Sequence, residues 1–186
     1  MQRAFTTKYN GRTNVLKTSV GICLPHTPEQ ALATKIDIKQ YLAIWDTGAT
    51  GSVITKKVAD DLNLKPISVK EVYHAAGKSI SNVYLVNILL PDSVMIPNVQ
   101  VTEANLTNDK TPENEQTQVL IGMDIIGIGD FAVTNFNGKT MLSFRVPSAS
   151  EIDLVPEAKE HNVLTTGNRQ QRRALLAMQR KGQKLF

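Results

Sequence analysis

Apolar and polar positions over the first 146 residues change in short blocks, mostly with the two-residue period of strands. Residues 15–23 alternate weakly and predict a first strand. Residues 24–34 contain two prolines and predict a connection. Residues 36–45 run into the apolar stretch Tyr41-Leu42-Ala43-Ile44-Trp45, which stops at a carboxylate, Asp46. Gly48 and Gly51 bracket the turn that follows, and residues 52–55 leave it in extended form. Thr55 predicts a helix N-cap, with residues 56–62 as a short helix that Asn63 and Pro66 limit.

Residues 67–73 and 80–90 are strand-like, with Ala75-Ala76-Gly77-Lys78 between them, so they predict a long hairpin. Pro91-Asp92 turns the chain into a strand over 94–101. Residues 105–118 are polar, charged and contain proline, the composition of a surface loop. Val119-Leu120-Ile121-Gly122 predicts a short strand, and Met123-Asp124-Ile125-Ile126 a brief helix with Asp124 as its cap. Residues 131–136 and 139–146 flank Asn137-Gly138, the strongest short-range hairpin signal. Short strands, tight turns and little helix predict an all-β domain, barrel-like or a sandwich, over residues 15–147. Residues 1–14 read as a polar N-terminal arm, loose at its start, and 148–186 as a separate tail.

Composition narrows this. Of 186 residues, 41% are hydrophobic but only 5% aromatic, so the core is expected to be aliphatic. The single cysteine, Cys23, excludes an internal disulfide or a cysteine-rich metal site and fits a reducing compartment. It is expected to be a small buried hydrophobe without a histidine partner. His26, His74 and His161 lack metal-ligand spacing and read as surface residues, so no metal or other cofactor is expected. The N-terminus lacks the apolar core of a signal peptide, and no apolar run approaches the roughly 18 residues of a membrane span. A cytoplasmic protein without membrane contact is expected.

The net charge of +4 is unevenly spread. Arg169, Arg172, Arg173, Arg180, Lys181 and Lys184 supply six positive charges, and without them the rest stands at about −2. Asn168 is a candidate cap for a helix over 169–181, with Arg169, Arg173 and Arg180 on one face. This basic tail, helical or disordered, could contact nucleic acid or an acidic partner through phosphate-type contacts. A solvated tail with no partner is the alternative.

The candidate chemistry lies at Asp46-Thr47-Gly48. By itself the triplet could be an Asx-turn, in which the carboxylate accepts backbone N–H bonds. A D-[ST]-G triplet arises by chance in roughly one chain in ten of this length, so its context decides. Here it ends an apolar strand and continues into Ala49, Ser52-Val53-Ile54 and a short helix. A hairpin around Gly77 comes next, and later Val119-Leu120-Ile121-Gly122-Met123-Asp124-Ile125-Ile126. This ordered combination resembles the retropepsin-like aspartic peptidases, single-domain relatives of pepsin that include the retroviral proteases. The closing strands, through Phe144-Arg145-Val146-Pro147-Ser148, resemble those of prokaryotic members.

The resemblance implies a closed barrel-like retropepsin fold with one or two short helices. It also implies an aspartic endopeptidase that hydrolyses peptide bonds with two carboxylates and one water. Only one D-[ST]-G is present, so it implies a homodimer in which each subunit contributes Asp46 across a two-fold axis. Thr47 and Gly48 would brace that dyad. Ala49, Thr50, Ile121 and the hairpin tip Ala75, Ala76 and Gly77 would contact peptide substrate. Two features depart from the retroviral pattern. Thr50 and Met123 stand where an aspartate and an arginine usually pair, and the hairpin tip has a single glycine. A different class stays open: a retropepsin-fold binding or dimerisation module that kept Asp46, lost turnover and acts through its basic tail.

Overall fold

The computed structural model describes residues 1–33, 35–74, 77–106, 111–112 and 115–180. The chain divides into two compact units, Met1–Ala149 and Ser150–Phe186. The strands of the first unit are β1 (Arg3–Lys8), β2 (Lys17–Cys23), β3 (Lys39–Trp45), β4 (Val53–Ile54), β5 (Ser68–His74), β6 (Gly77–Leu90), β7 (Val94–Glu103), β8 (Val119–Ile121), β9 (Asp130–Thr134) and β10 (Met141–Val146). Its helices are short: α1 (Pro28–Ala33), α2 (Lys56–Asp61) and α3 (Met123–Ile126). The all-β expectation holds, and the choice between barrel and sandwich is resolved.

Neighbouring strands run β2-β3-β8-β4-β7-β6, and β6 pairs back onto β2, so six strands close a barrel with β5 added outside β6. The length of β6 makes this closure possible. Its first half pairs with β5, its second half with β7, and Asn87, Ile88 and Leu89 also pair with β2. An irregularity between Val86 and Ile88 bends the strand there. The buried Asn87 side chain covers the break by accepting the Asn98 N–H at 2.9 Å. Alternation fills the interior: Val20 and Ile22 from β2, Tyr41, Ala43 and Trp45 from β3, and Tyr84, Val86, Ile88 and Leu90 from β6. Each fully buried Val, Ile or Leu among them contributes about 1.5–3 kcal/mol.

A second sheet, ordered β1-β10-β9, brings Phe5, Phe131 and Phe144 onto Trp45 of β3. Trp45 lies 5.7 Å from Phe5, 5.4 Å from Phe144 and 5.7 Å from Phe131 between ring centroids. Its indole N–H donates to Thr18 Oγ1 at 2.9 Å. Four aromatic rings thus cluster beneath the strand end that carries Asp46. Residues 1–14 are not a loose arm. β1 pairs with β10 from Arg3↔Val146 to Lys8↔Met141, and Phe5 is buried. One buried phenylalanine among polar residues leaves little periodic signal, so local pattern does not predict this strand. Asn137 and Gly138 have φ of 51° and 73° in the turn between β9 and β10, the left-handed pair a tight hairpin favours.

Two further expectations change. The 24–34 connection contains α1, opened by a reciprocal cap in which Thr27 N–H donates to Gln30 Oε1 and Gln30 N–H to Thr27 Oγ1. Thr55 does start α2, but its hydroxyl makes no cap bond and is spent on Gln118 Oε1. In the second unit, α4 (Val155–Thr166) precedes α5 (Arg169–Arg180), and only the latter was expected. Asn168 caps α5 reciprocally: Gln171 N–H donates to Asn168 Oδ1, and Asn168 N–H to Gln171 Oε1. Among the described residues, no helix is long and apolar enough to cross a membrane.

Candidate functional site

β3 and β8 run parallel, with Trp45 opposite Ile121, so Asp46 and Gly122 leave the sheet side by side. Asp46 N–H donates to Ile121 O at 3.0 Å, which extends the ladder by one bond. The chain then crosses above β8 and returns as β4, antiparallel to β8. Asp46 is half-buried. Its Oδ1 accepts the Gly48 N–H at 2.8 Å, and Ala49 N–H donates to Asp46 O at 3.3 Å. The Asx-turn bond is therefore present, and it orients a carboxylate at a solvent-facing loop.

The loop is tied to the segment after β8 at several points. Met123 N–H donates to Ala49 O at 2.8 Å. Gly122 N–H donates to Ser52 Oγ at 3.1 Å. Ser52, 1% exposed, donates its hydroxyl to Asp124 Oδ1 at 2.8 Å and its N–H to Asp124 Oδ2 at 2.9 Å. Gly122 is required by contact: a Cβ there would stand 2.6 Å from Gly51 C and O. Further along, Thr55 N–H donates to Gln118 O, and Gln118 N–H to Leu42 O at 2.9 Å.

Asp124 is not the cap of α3. Gly122 occupies the N-cap position, and the Asp124 carboxylate reaches across to Ser52. Thr47, Gly48 and Thr50 are exposed and Ala49 half-buried around Asp46. Ile121 is fully buried, so its side chain belongs to the core and only its carbonyl reaches the site. Gly77 is exposed at the start of β6 with φ of 124°, a conformation that suits glycine. Ala75 and Ala76 lie outside the described residues. Ser52 and Gln118 carry no local motif, and their partners are 72 and 63 residues away in sequence, so nothing in the pattern singled them out.

The remaining candidates sort by burial. Cys23 does have a histidine neighbour, His26, whose Nδ1 lies 3.8 Å from Sγ. The thiol is 1% exposed, however, and burial raises its pKa, so it stays protonated and inaccessible, as a core residue would. His26 is half-buried and within 3.1 Å of Asn87 Nδ2, not a free surface residue. Among the described residues, no group of three or more His, Cys, Asp or Glu is placed to hold a metal ion.

A family model described as aspartyl protease matches residues 33–125, a stretch that includes Asp46, Ser52, Gly122 and Asp124. Among solved structures, the chain is similar to a retropepsin-like aspartic protease from Rickettsia conorii at 11% identity and a TM-score of 0.44. That likeness covers 78% of this chain and 95% of the other. It is also similar to the Simian Foamy Virus (mac) protease at 14% identity and a TM-score of 0.36, over 59% of this chain and 92% of that one. No curated protein matches.

Proposed function

The chain belongs to the aspartyl protease family, whose model matches half of its length, and from that premise we propose that it is a homodimeric aspartic endopeptidase with Asp46 as its catalytic residue. The observation that carries this reading is the placement of Asp46. Its carboxylate sits half-buried at an open loop, oriented by the Gly48 N–H and braced by the main chain of Ile121. Peptide-bond hydrolysis by this chemistry needs two carboxyl groups. One, protonated, polarises the scissile carbonyl. The other, ionised, takes a proton from the attacking water. Carboxyls about 3 Å apart share one proton and titrate as a pair.

The sequence holds one Asp-Thr-Gly only, so the second carboxyl comes from another copy on a two-fold axis. In that dimer, exposed Thr47 braces the dyad and Gly48 allows close approach of the chain. Ala49 and Thr50 line the cleft, and exposed Gly77 at the start of β6 contacts a peptide substrate. The absence of charge at Thr50 and Met123 leaves the dyad intact, because both positions are uncharged together.

Incubation of purified protein with a peptide library, beside Asp46→Asn, tests the reading. Cleavage at defined bonds by the wild type and none by the variant is expected. Equal cleavage by both, or none by the wild type, ends the proposal.

A further inference from the structure

The peptide plane between Ile121 and Gly122 faces two ways. Its carbonyl accepts the Asp46 N–H, and its N–H donates to Ser52 Oγ. A peptide unit is rigid, so whatever fixes the Ser52 hydroxyl also fixes the direction from which Asp46 is held. That hydroxyl is fixed by Asp124, whose carboxylate accepts Ser52 O–H on Oδ1 and Ser52 N–H on Oδ2. Asp124 Oδ1 also accepts the Ile125 N–H at 3.0 Å, which anchors the carboxylate to α3.

On the reading of Asp46 given above, we propose that Asp124 is a positioning residue for the catalytic carboxylate. It acts through Ser52 and the 121–122 peptide, without touching substrate. Four features fit this role. The relay runs over consecutive bonds of 2.8, 3.1 and 3.0 Å. Ser52 is 1% exposed, so water does not readily replace Asp124 as the acceptor of its hydroxyl. Asp124 receives both donors of Ser52, fixing the residue's orientation as well as its distance. Finally, the close approach of Gly122 to Gly51 leaves the two loops little room to slide once the clamp is made.

Asp124→Ala removes both Ser52 acceptors. Misplacement of a reacting group by about 1 Å costs on the order of 10²-fold in rate, so kcat should fall by about that factor while KM for a peptide stays within a few-fold. Asp124→Asn should recover only part of kcat. Its amide oxygen can accept the Ser52 hydroxyl and the Ile125 N–H, but its amide nitrogen then faces the Ser52 N–H, donor against donor. Ser52→Ala should lower kcat similarly, and Ser52→Ala combined with Asp124→Ala should add little, because both break one relay. Residue-resolved amide exchange supplies a readout independent of turnover: in Asp124→Ala, exchange at Asp46 and Gly122 should quicken by ~10-fold or more, with Val86 and Ile22 unchanged.

If Asp124→Ala does not fold, Asp124→Asn and Ser52→Ala carry the test. Wild-type kcat in Ser52→Ala or Asp124→Ala, a loss confined to KM, or unchanged exchange at Asp46 overturns the positioning role. A wild type that cleaves nothing overturns the peptidase reading itself and with it any catalytic bearing of Asp124. A wild type that cleaves, beside variants that cleave equally well, overturns Asp124 alone.

Discussion

Single residues at this site are defined by local turns and by partners far away in sequence together. Asp46 is held by Gly48 and Ile121, and Ser52 by Asp124. Asp130 is another case. Its carboxylate accepts the Ser148 hydroxyl, the Ala149 N–H at 2.9 Å and the Arg145 guanidinium. Those donors favour the ionised form, in that order of effect, and bring its pKa down to about 2. An unfolded aspartate titrates near ~3.9. The folded state therefore holds its proton less tightly, so the stabilisation is complete above the unfolded value and is lost as pH falls through the folded one. Urea unfolding of wild type and Asp130→Asn should show the wild type more stable at pH 6, with its advantage shrinking between about pH 4 and pH 2. A difference that does not change over that window would contradict this.

At the scale of elements, what mattered was which strand lies beside which. The Asn137-Gly138 turn, the Asp46 strand and the hairpin of β5 and β6 follow from alternation and turn residues, and all three are present. β1 was missed because only Phe5 is buried between exposed neighbours. That single ring packs at 5.7 Å from Trp45 and 6.1 Å from Phe144. Phe5→Ala should accordingly cost about 3–5 kcal/mol, the range for a buried aromatic replaced by alanine. Chemical denaturation measures this directly. A loss well under 1 kcal/mol would mean that β1 is only laid against β10. α1 had a legible signal, the Thr27–Gln30 capping pair, which the prolines of the same stretch obscured. The role of Asp124 had none, since a carboxylate next to a short helix looks the same whether it caps that helix or reaches another loop.

At the scale of the whole molecule, the proposed function rests on symmetry. In the proposed dyad, one Asp46 per chain means that activity belongs to a pair of chains. Adding an equal amount of Asp46→Asn protein to the wild type, with time to exchange subunits, should lower activity to about half, because random pairing puts half of the active subunits into dead mixed dimers. Undiminished activity in the mixture would show that each chain works alone. The second unit, Ser150–Phe186, has its own helical pair, with Arg169, Arg172 and Arg173 exposed on α5. Residues 150–186 carry a net charge of +3, seven Lys/Arg against four Asp/Glu, and so hold most of the +4 of the whole chain.

Sequence by itself determined the local events: where strands alternate, where Asn137-Gly138 and Pro91-Asp92 turn the chain, and where an apolar strand delivers Asp46. These are set by side-chain period and by backbone dihedrals, which act over a few residues. Only the tertiary structure decided that β6 closes a six-stranded barrel by pairing with β2, that the first residues form a strand, and that Ser52 and Asp124 meet. The physical reason is one of range. A hydrogen bond has no sequence signature when its two groups are 72 residues apart, because each group's local pattern is compatible with many partners until the core is packed.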